Sequence, residues 1–345
     1  MPDLIEGAVK VLRDGGLVAI PTETVYGLAA DADNAEAVNL IFSTKGRPAG
    51  HPLIVHIPFP KEATDEAWQN ILSRWTRDVS PAALTLAKAF WPGPLTMILP
   101  KSKNVIPEVT GGQETVGIRC PNHPVAQSLL NHFGGGLAAP SANRFGRISP
   151  TTAQHVREEF SDAIMVLDGG PCDVGIESTI VDLSRWDTHG PVVLRPGAIS
   201  QQMLNDELSK AGVIIPKLAD ESVNRSEPRV SGSLSAHYAP KTKMFLCEKD
   251  QLKDLLKRHS QPSSKIAWVH FKNGSPTPQQ LDVYELTEVV LPDSAQLLAQ
   301  QLYALLRQLD QSSYDLIAFE HLPKGEAWDA IRDRLGRAAV GSGVI

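Results

Sequence analysis

The chain has 345 residues, 42% of them hydrophobic and 21% charged, with a formal net charge of −6. That length exceeds one ordinary domain and predicts two. The acidic balance excludes binding to nucleic acid through a broadly basic surface, though it leaves room for a local cationic cleft.

The first predicted element is an amphipathic helix over 3–14, with Leu4, Ile5, Ala8, Val9 and Leu12 at helical spacing and Gly15-Gly16 ending it. LVAI (17–20) is a short buried strand stopped by Pro21, and 24–30 continues extended. Asp33-Asn34 caps a helix that runs to about Lys45 and turns Ala37, Leu40 and Ile41 inward. PLIVHI (52–57) is a strand, 82–90 a helix stopped by Trp-Pro-Gly-Pro, and LTMIL (95–99) and VGIRC (116–120) are strands. A helix over 124–132 and a strand LAAP (137–140) follow. Ser149-Pro150 has the form of an N-cap with proline at the first helical position, opening a helix to Phe160. AIMVLD (163–168), STIVDL (178–183) and VVLR (192–195) are strand-like. Helices alternate with strands, several of them adjacent, which predicts an open, mixed α/β sheet. Residues 216–243 are polar, rich in Ser and Pro, and interrupted only by SAHYAP; they are expected to be a linker. MFLC, KIAWVHF and YDLIAFE (314–320), with helices over 294–309 and 326–339, then make a small second α/β domain.

Three cysteines, Cys120, Cys172 and Cys247, form no CxxC pair and fit no zinc spacing, so reduced thiols are expected. The first residues, MPDLIEGAVKVLRDGG, have no basic stretch ahead of an apolar core, so no signal peptide is expected there. No apolar run approaches the roughly 18 residues of a membrane span, and the expected location is the cytoplasm.

The chemistry concentrates in a few segments. In KGRPAGHPLIVHI, Lys45 and Arg47 face one concavity if the helix ends at Gly46. Arg47 then offers a planar fork and Lys45 a point charge for phosphate, with His51 and His56 nearby. The same cations also suit a solvated helix end. PTETVYGL places hydroxyls and a carboxylate just after a strand, where open sheets bind ligands, or simply makes a Thr-rich turn. In PSANRFGRISPTT, Ser141, Asn143 and Ser149 with Arg144 and Arg147 suggest an anion site at a helix N-terminus, or ordinary capping. Arg119 lies inside a strand, where it either ion-pairs structurally or holds a substrate carboxylate. Ser178, Thr179 and Arg195 sit at strand ends beside glycine-rich turns. There is no GxxxxGK[ST], GxGxxG, GxSxG or HExxH, and HFGGG lacks a P-loop lysine. Without an evident covalent nucleophile, positioning and charge stabilisation remain as the chemistry.

The spacing Lys45-x-Arg47-x4-Pro52-Leu53-x-x-His56 lies between PTETVYGL and PSAN, with GIRCP, ESTIVDL and LRPG following in order. This combination resembles the YrdC/Sua5 family across nearly the whole chain. HYAP (237–240) and the second domain resemble the longer, Sua5-type members. The resemblance implies a YrdC-like twisted sheet around a deep cationic cavity over 1–213. It also implies a linker and possible lid over 214–243, and a Rossmann-like C-terminal α/β domain over 244–345. The implied activity joins L-threonine, bicarbonate and ATP into threonylcarbamoyl-AMP and releases pyrophosphate, for N6-threonylcarbamoyladenosine at position 37 of tRNAs that read ANN codons. A separate complex would perform the transfer to tRNA. Under this resemblance Lys45, Arg47 and Arg195 grip the ATP phosphates, Lys45 and Arg47 acting as the catalytic cations. His51, Thr115, Asn143, Ser149 and His237 supplement them. Arg119 takes the threonine carboxylate among Thr24, His56, Ser141 and Ser178. Mg²⁺ rides on the triphosphate rather than in a protein cage. An RNA-binding module and a carbamoyl-transferring maturation factor are the competing readings. The acidic charge, the lack of aromatic platforms and the lack of acylphosphatase or zinc-finger segments weigh against them.

Overall fold

The structure, a computed structural model, describes residues 2–216, 227–272 and 283–343. It divides into two compact units: residues 1–145 with 150–233, and residues 146–149 with 234–345. Of the expected linker, 217–226 lies outside the described residues, 227–233 belongs to the first unit and 234–243 to the second.

The first unit contains strands β1 (Val18–Ile20), β2 (Gly27–Asp31), β3 (Ile54–His56), β4 (Leu95–Pro100), β5 (Thr115–Arg119), β6 (Leu137–Ala138), β7 (Met165–Val166), β8 (Thr179–Asp182) and β9 (Val192–Arg195). They form a mixed sheet in the order β7-β1-β2-β6-β3-β5-β4-β8-β9. Its helices are α1 (Pro2–Arg13), α2 (Ala35–Lys45), α3 (Asp65–Leu72), α4 (Pro81–Phe90), α5 (Pro107–Thr110), α6 (Pro124–Phe133), α7 (Ala153–Phe160), α8 (Trp186–His189) and α9 (Gln201–Lys210). Helix α1 forms because Ile5, Ala8, Val9 and Leu12 recur on one face, and that face is buried. It packs with α6 over Ile20, Ala29 and Leu137. Full burial of each large aliphatic there stabilises by roughly 1.5–3 kcal/mol. The larger core collects Tyr26, Ile41, Trp68, Leu86, Met97 and Ile118. The expected open, mixed α/β sheet is therefore present.

Several local expectations are corrected. Ser149-Pro150 does not cap a helix: α7 begins at Ala153, and its cap is Thr152, whose side chain accepts from the His155 N–H. Pro150 is instead tied to the PTET segment, its carbonyl accepting from the Tyr26 N–H at 2.8 Å. Residues 24–30 are not extended throughout. The Thr22 Oγ1 accepts from the backbone N–H of Thr24 and Val25, a hydroxyl-closed turn, and strand geometry resumes at Gly27. The strand expected over 163–168 shortens to Met165–Val166 because 161–163 forms a 3-10 turn. Helices α3, α5, α8 and α9 were not expected. Helix α9 buries only Leu204 and Leu208, too thin a stripe to stand out in the sequence.

The second unit contains β10 (Lys243–Cys247), α10 (Leu252–His259), β11 (Lys265–His270), β12 (Glu285–Val290), α11 (Ala295–Gln311), β13 (Leu316–Glu320) and α12 (Glu326–Gly341). Its strands are all parallel, in the order β10-β13-β11-β12. Strand β11 lies second from one edge and is buried from Ile266 to His270, which explains its unbroken apolar run. Strand β12 and helix α10 were not expected. As an edge strand β12 leaves Glu285, Thr287, Glu288 and Val290 exposed, so no buried face marks it. Helix α11 turns Leu298, Leu302, Tyr303 and Leu306 inward at helical spacing, as its sequence predicts.

Candidate active site

The three motif segments of the first unit are joined by backbone hydrogen bonds. The Leu28 N–H donates to Pro140 O at 2.7 Å, and the Ala142 N–H to Tyr26 O at 2.7 Å, so PTETVYGL and PSAN run side by side. Helix α2 delivers the third segment. It ends at Gly46, whose φ of 63° is left-handed and which caps the helix by donating to Phe42 O and Ser43 O. Lys45 therefore points out of the last turn while Arg47 leaves on a new course. Lys45 Nζ donates to Ser141 O at 2.5 Å and to Asn143 O. The Phe145 N–H in turn donates to Lys45 O at 2.8 Å.

Arg47 is 7% exposed, donates from Nη2 to Pro52 O at 3.1 Å and to Ser231 Oγ at 3.4 Å, and lies over the Phe145 ring. His51 packs edge-on to the same ring. Arg195, at the end of β9, donates from Nε and Nη2 to Ser178 O at 3.1 and 2.9 Å, and from Nη1 to Ser231 O at 2.9 Å. A carbonyl orients a cation without cancelling its charge. Burial, and then the Arg47 charge, hold the Lys45 ammonium well below its ordinary pKa. Burial, and then Arg47 and Arg229, lower His51. The turn of LRPG fits beneath this cluster only with glycine: a Cβ on Gly197 would lie 2.4 Å from Thr179 N.

A small pocket opens beside Pro52 and Ser231, the partners of Arg47. Thr115, Gly117, Ile54, Ile98 and Ile180 line it from the sheet, and Val230 and Ser231 from the linker. Arg229 anchors that piece of linker by donating to Gly111 O at 2.8 Å, and Gln113 brackets the Arg229 backbone through its amide N–H and carbonyl.

The second half of the site surrounds Arg119. Strands β3 and β5 are parallel with His56 in register with Arg119. Arg119 Nη1 donates to Thr24 Oγ1 at 2.8 Å and Nε to Gly93 O at 3.3 Å, while Nη2 lies 2.7 Å from Glu23 Oε1. Glu23 Oε2 accepts from the Asn122 N–H at 3.0 Å. Of the two sequence alternatives for Arg119, the ion pair is thus present. Burial, and then Arg119, push His56 down to about 3, so the ring is neutral at ordinary pH. Its Nδ1 lies 3.2 Å from Ile54 O and donates there as the protonated nitrogen. Ser178 Oγ lies 2.8 Å from Thr96 Oγ1 and accepts from Arg195.

The first unit therefore gathers Thr24, Lys45, Arg47, His51, His56, Thr115, Arg119, Ser141, Asn143, Ser178 and Arg195. Ser149 and His237 belong to the second unit. Ser149 is fully buried, and the helix expected to open at it begins instead at Ala153. Arg147 does not add free charge, being paired with Asp310 at 3.0 Å. His237 Nδ1 accepts from the Tyr238 N–H at 3.0 Å, and Tyr238, at φ 61°, is buried between the Tyr303 ring and the Arg334 guanidinium. Sequence reasoning missed Thr22, Thr96, Arg229 and Ser231 as members of the first unit's cluster. Thr96 had a faint signal, a hydroxyl in an otherwise apolar strand.

A family model described as "Telomere recombination", that of Sua5, YciO and YrdC, matches residues 10–197. A second, the C-terminal domain of threonylcarbamoyl-AMP synthase, matches 199–340. The chain is 35% identical over 340 residues to a threonylcarbamoyl-AMP synthase of Pyrococcus abyssi, covering 96% of this chain and 93% of the relative. It is 38% identical over 346 residues to one of Bacillus subtilis, covering 98% and 93%. Among solved structures it is similar to the crystal structure of Pyrococcus abyssi Sua5 complexed with L-threonine, with a TM-score of 0.80 at 35% identity over 98% of this chain and 94% of that one.

Proposed function

The chain belongs to the Sua5/YciO/YrdC family in its two-domain form, and from that membership we infer its reaction: L-threonine, bicarbonate and ATP to threonylcarbamoyl-AMP and pyrophosphate, an adenylyl transfer. The observation that carries the reading is the cluster Lys45, Arg47 and Arg195, three buried cations oriented by backbone carbonyls, with a small pocket beside the partners of Arg47. A triphosphate supplies the negative charge such a cluster accepts.

The roles proposed for the residues follow from this placement. Lys45, Arg47 and Arg195 take the phosphates, with His51 and Asn143 beside them, and the apolar floor around Gly117 with Thr115 takes the nucleoside. Arg119 takes the threonine carboxylate, and Thr24, His56, Ser141 and Ser178 line the amino acid. Ser149 and His237 keep their proposed part in ATP binding as members of the second unit. Mg²⁺ arrives on the triphosphate. The threonine amine, having lost its extra proton, attacks the bicarbonate carbon, and water leaves to give the carbamate. The carbamate oxygen then attacks the α-phosphorus, and pyrophosphate leaves as the cations absorb the developing charge. The product is used, on this reading, by a tRNA-modifying complex acting at adenosine 37. The proposed location is the cytoplasm; no helix among the described residues is long and apolar enough to cross a membrane.

Residues 1–213 are proposed as the catalytic domain, 244–345 as the C-terminal domain and 214–243 as a lid. Support for the lid comes from 230–231: Val230 reaches the cavity, and Ser231 lies on both Arg47 and Arg195. Replacing Val230 and Ser231 by glycine is expected to abolish adenylate formation while both domains stay folded by circular dichroism; normal turnover refutes the lid. The central test incubates the protein with ATP, bicarbonate and labelled threonine and follows pyrophosphate and a labelled adenylate. Pyrophosphate release that does not depend on threonine would sink the reading.

A further inference from the structure

The Glu23–Arg119 pair has a geometry that a purely structural ion pair does not need. Arg119 Nη2 and Glu23 Oε1 are 2.7 Å apart, yet the N–H is not directed along that line, and both atoms are buried without a hydrogen-bond partner among the described residues. The rest of each group is firmly held. Asn122 N–H fixes Glu23 Oε2, and Gly93 O and Thr24 Oγ1 fix the other arms of Arg119. One unused acceptor and one unused donor, of opposite charge, therefore lie side by side. A buried donor or acceptor left unmade costs roughly 1–3 kcal/mol, so such atoms are sites for a ligand that satisfies both.

The neighbouring hydroxyls add a second observation. Thr22 Oγ1 donates to Val25 O at 2.7 Å, which uses its only proton. Thr24 Oγ1, 2.9 Å from Thr22 Oγ1, must then be the donor between them. Thr24 Oγ1 also accepts from Arg119, so its remaining capacity is a single lone pair. Thr24 thus presents an acceptor only. On the Glu23 side of the Arg119 fork stand two acceptors, Glu23 Oε1 and Thr24 Oγ1, which suits an ammonium group there.

We propose that Glu23 receives the ammonium group of the amino acid substrate while Arg119 receives its carboxylate, so that the pair recognises both charges of one zwitterion. The assignment rests on the amino-acid-activating reading above and adds a substrate-contacting residue to it. Recognition then requires an α-amino group as well as an acid. It places the nitrogen that must become a carbamate against a carboxylate, and it gives Thr24 the ammonium side of the substrate rather than the acid side.

The test measures binding by calorimetry for three compounds: L-threonine, L-threonine amide, which lacks the carboxylate, and 2,3-dihydroxybutanoate, in which a hydroxyl replaces the amine. The wild-type protein is expected to bind each analogue at least about 10-fold more weakly than threonine. In Glu23→Gln, threonine affinity falls by about 10–100-fold and the preference for threonine over 2,3-dihydroxybutanoate shrinks to within about 3-fold. The preference over threonine amide persists, because Arg119 is intact, and the KM for ATP changes by less than about 3-fold. A Glu23→Gln protein that keeps its full preference for the amine overturns the assignment. Equal wild-type affinity for threonine and 2,3-dihydroxybutanoate does so without any variant, and thus even if Glu23→Gln fails to fold. Failure of the underlying reading looks different: wild-type protein then releases no pyrophosphate in response to threonine.

Discussion

Two regions of this molecule bury cations in opposite ways. In the second unit, Arg334 is 0% exposed and pairs with Asp333 at 2.7 Å, and Arg337 reaches the same carboxylate at 2.8 Å. Arg147 meets Asp310 there at 3.0 Å, and Asp310 also accepts the Thr242 N–H. Around Lys45 in the first unit the cations are instead oriented by carbonyls of Pro52, Ser141, Asn143, Ser178 and Ser231. Charge that is cancelled on the spot locks helices together. Cations held by carbonyls are positioned by backbone dipoles, at some cost to stability. Arg119 stands between the two regimes, since it has a carboxylate partner but meets it off-line.

The contrast breaks most visibly when a paired cation is removed. Arg334→Ala should destabilise by about 2–4 kcal/mol, because it empties a fully buried site against the Tyr238 ring and removes one of the two arginines on Asp333. Denaturant unfolding measures this, and the KM for ATP of the folded fraction should not move. Arg119→Ala should cost a comparable amount, by leaving Glu23 buried without its cation, and should weaken threonine binding more than ATP binding. Arg47→Ala belongs to the other regime. It should lower ATP affinity by about 10–100-fold while unfolding free energy changes by no more than about 1 kcal/mol. If Arg47→Ala instead destabilises like Arg334→Ala, the distinction between oriented and cancelled charge fails.

How much of this was legible depends on range. Helix α1, α2 with its end at Gly46, and the cationic segment declare themselves because spacing and capping are local. The grouping of PTET, KGR and PSAN was legible as motif order, although the Lys45 clamp on Ser141 O and Asn143 O joins residues almost a hundred positions apart. Ser149-Pro150 misled because a local cap signature was overridden by a long-range bond in which the Tyr26 N–H donates to Pro150 O. Strand β12 was hidden because an edge strand with no buried face has no alternation to display. Ser231 was hidden because a polar linker says nothing of which carbonyl will meet an arginine.

The smallest expected effect concerns His56, a neutral group kept beside Arg119. Its folded pKa of about 3 lies below the ordinary value of 6.5 because burial, and then the Arg119 charge, disfavour the imidazolium. Above about pH 6.5 the ring is neutral in both the folded and the unfolded chain and contributes no pH dependence. As pH falls below that, the unfolded chain takes up a proton that the folded ring refuses, so stability drops. Between about pH 5.5 and 4 the loss attributable to this ring is about 1.4 kcal/mol per pH unit. His56→Gln keeps a donor for Ile54 O and removes the titration, so its unfolding free energy should fall less steeply by that amount over the same window. Parallel slopes for the two proteins would mean that His56 takes up its proton in the folded state, and that Arg119 is screened by Glu23 more completely than their off-line contact implies.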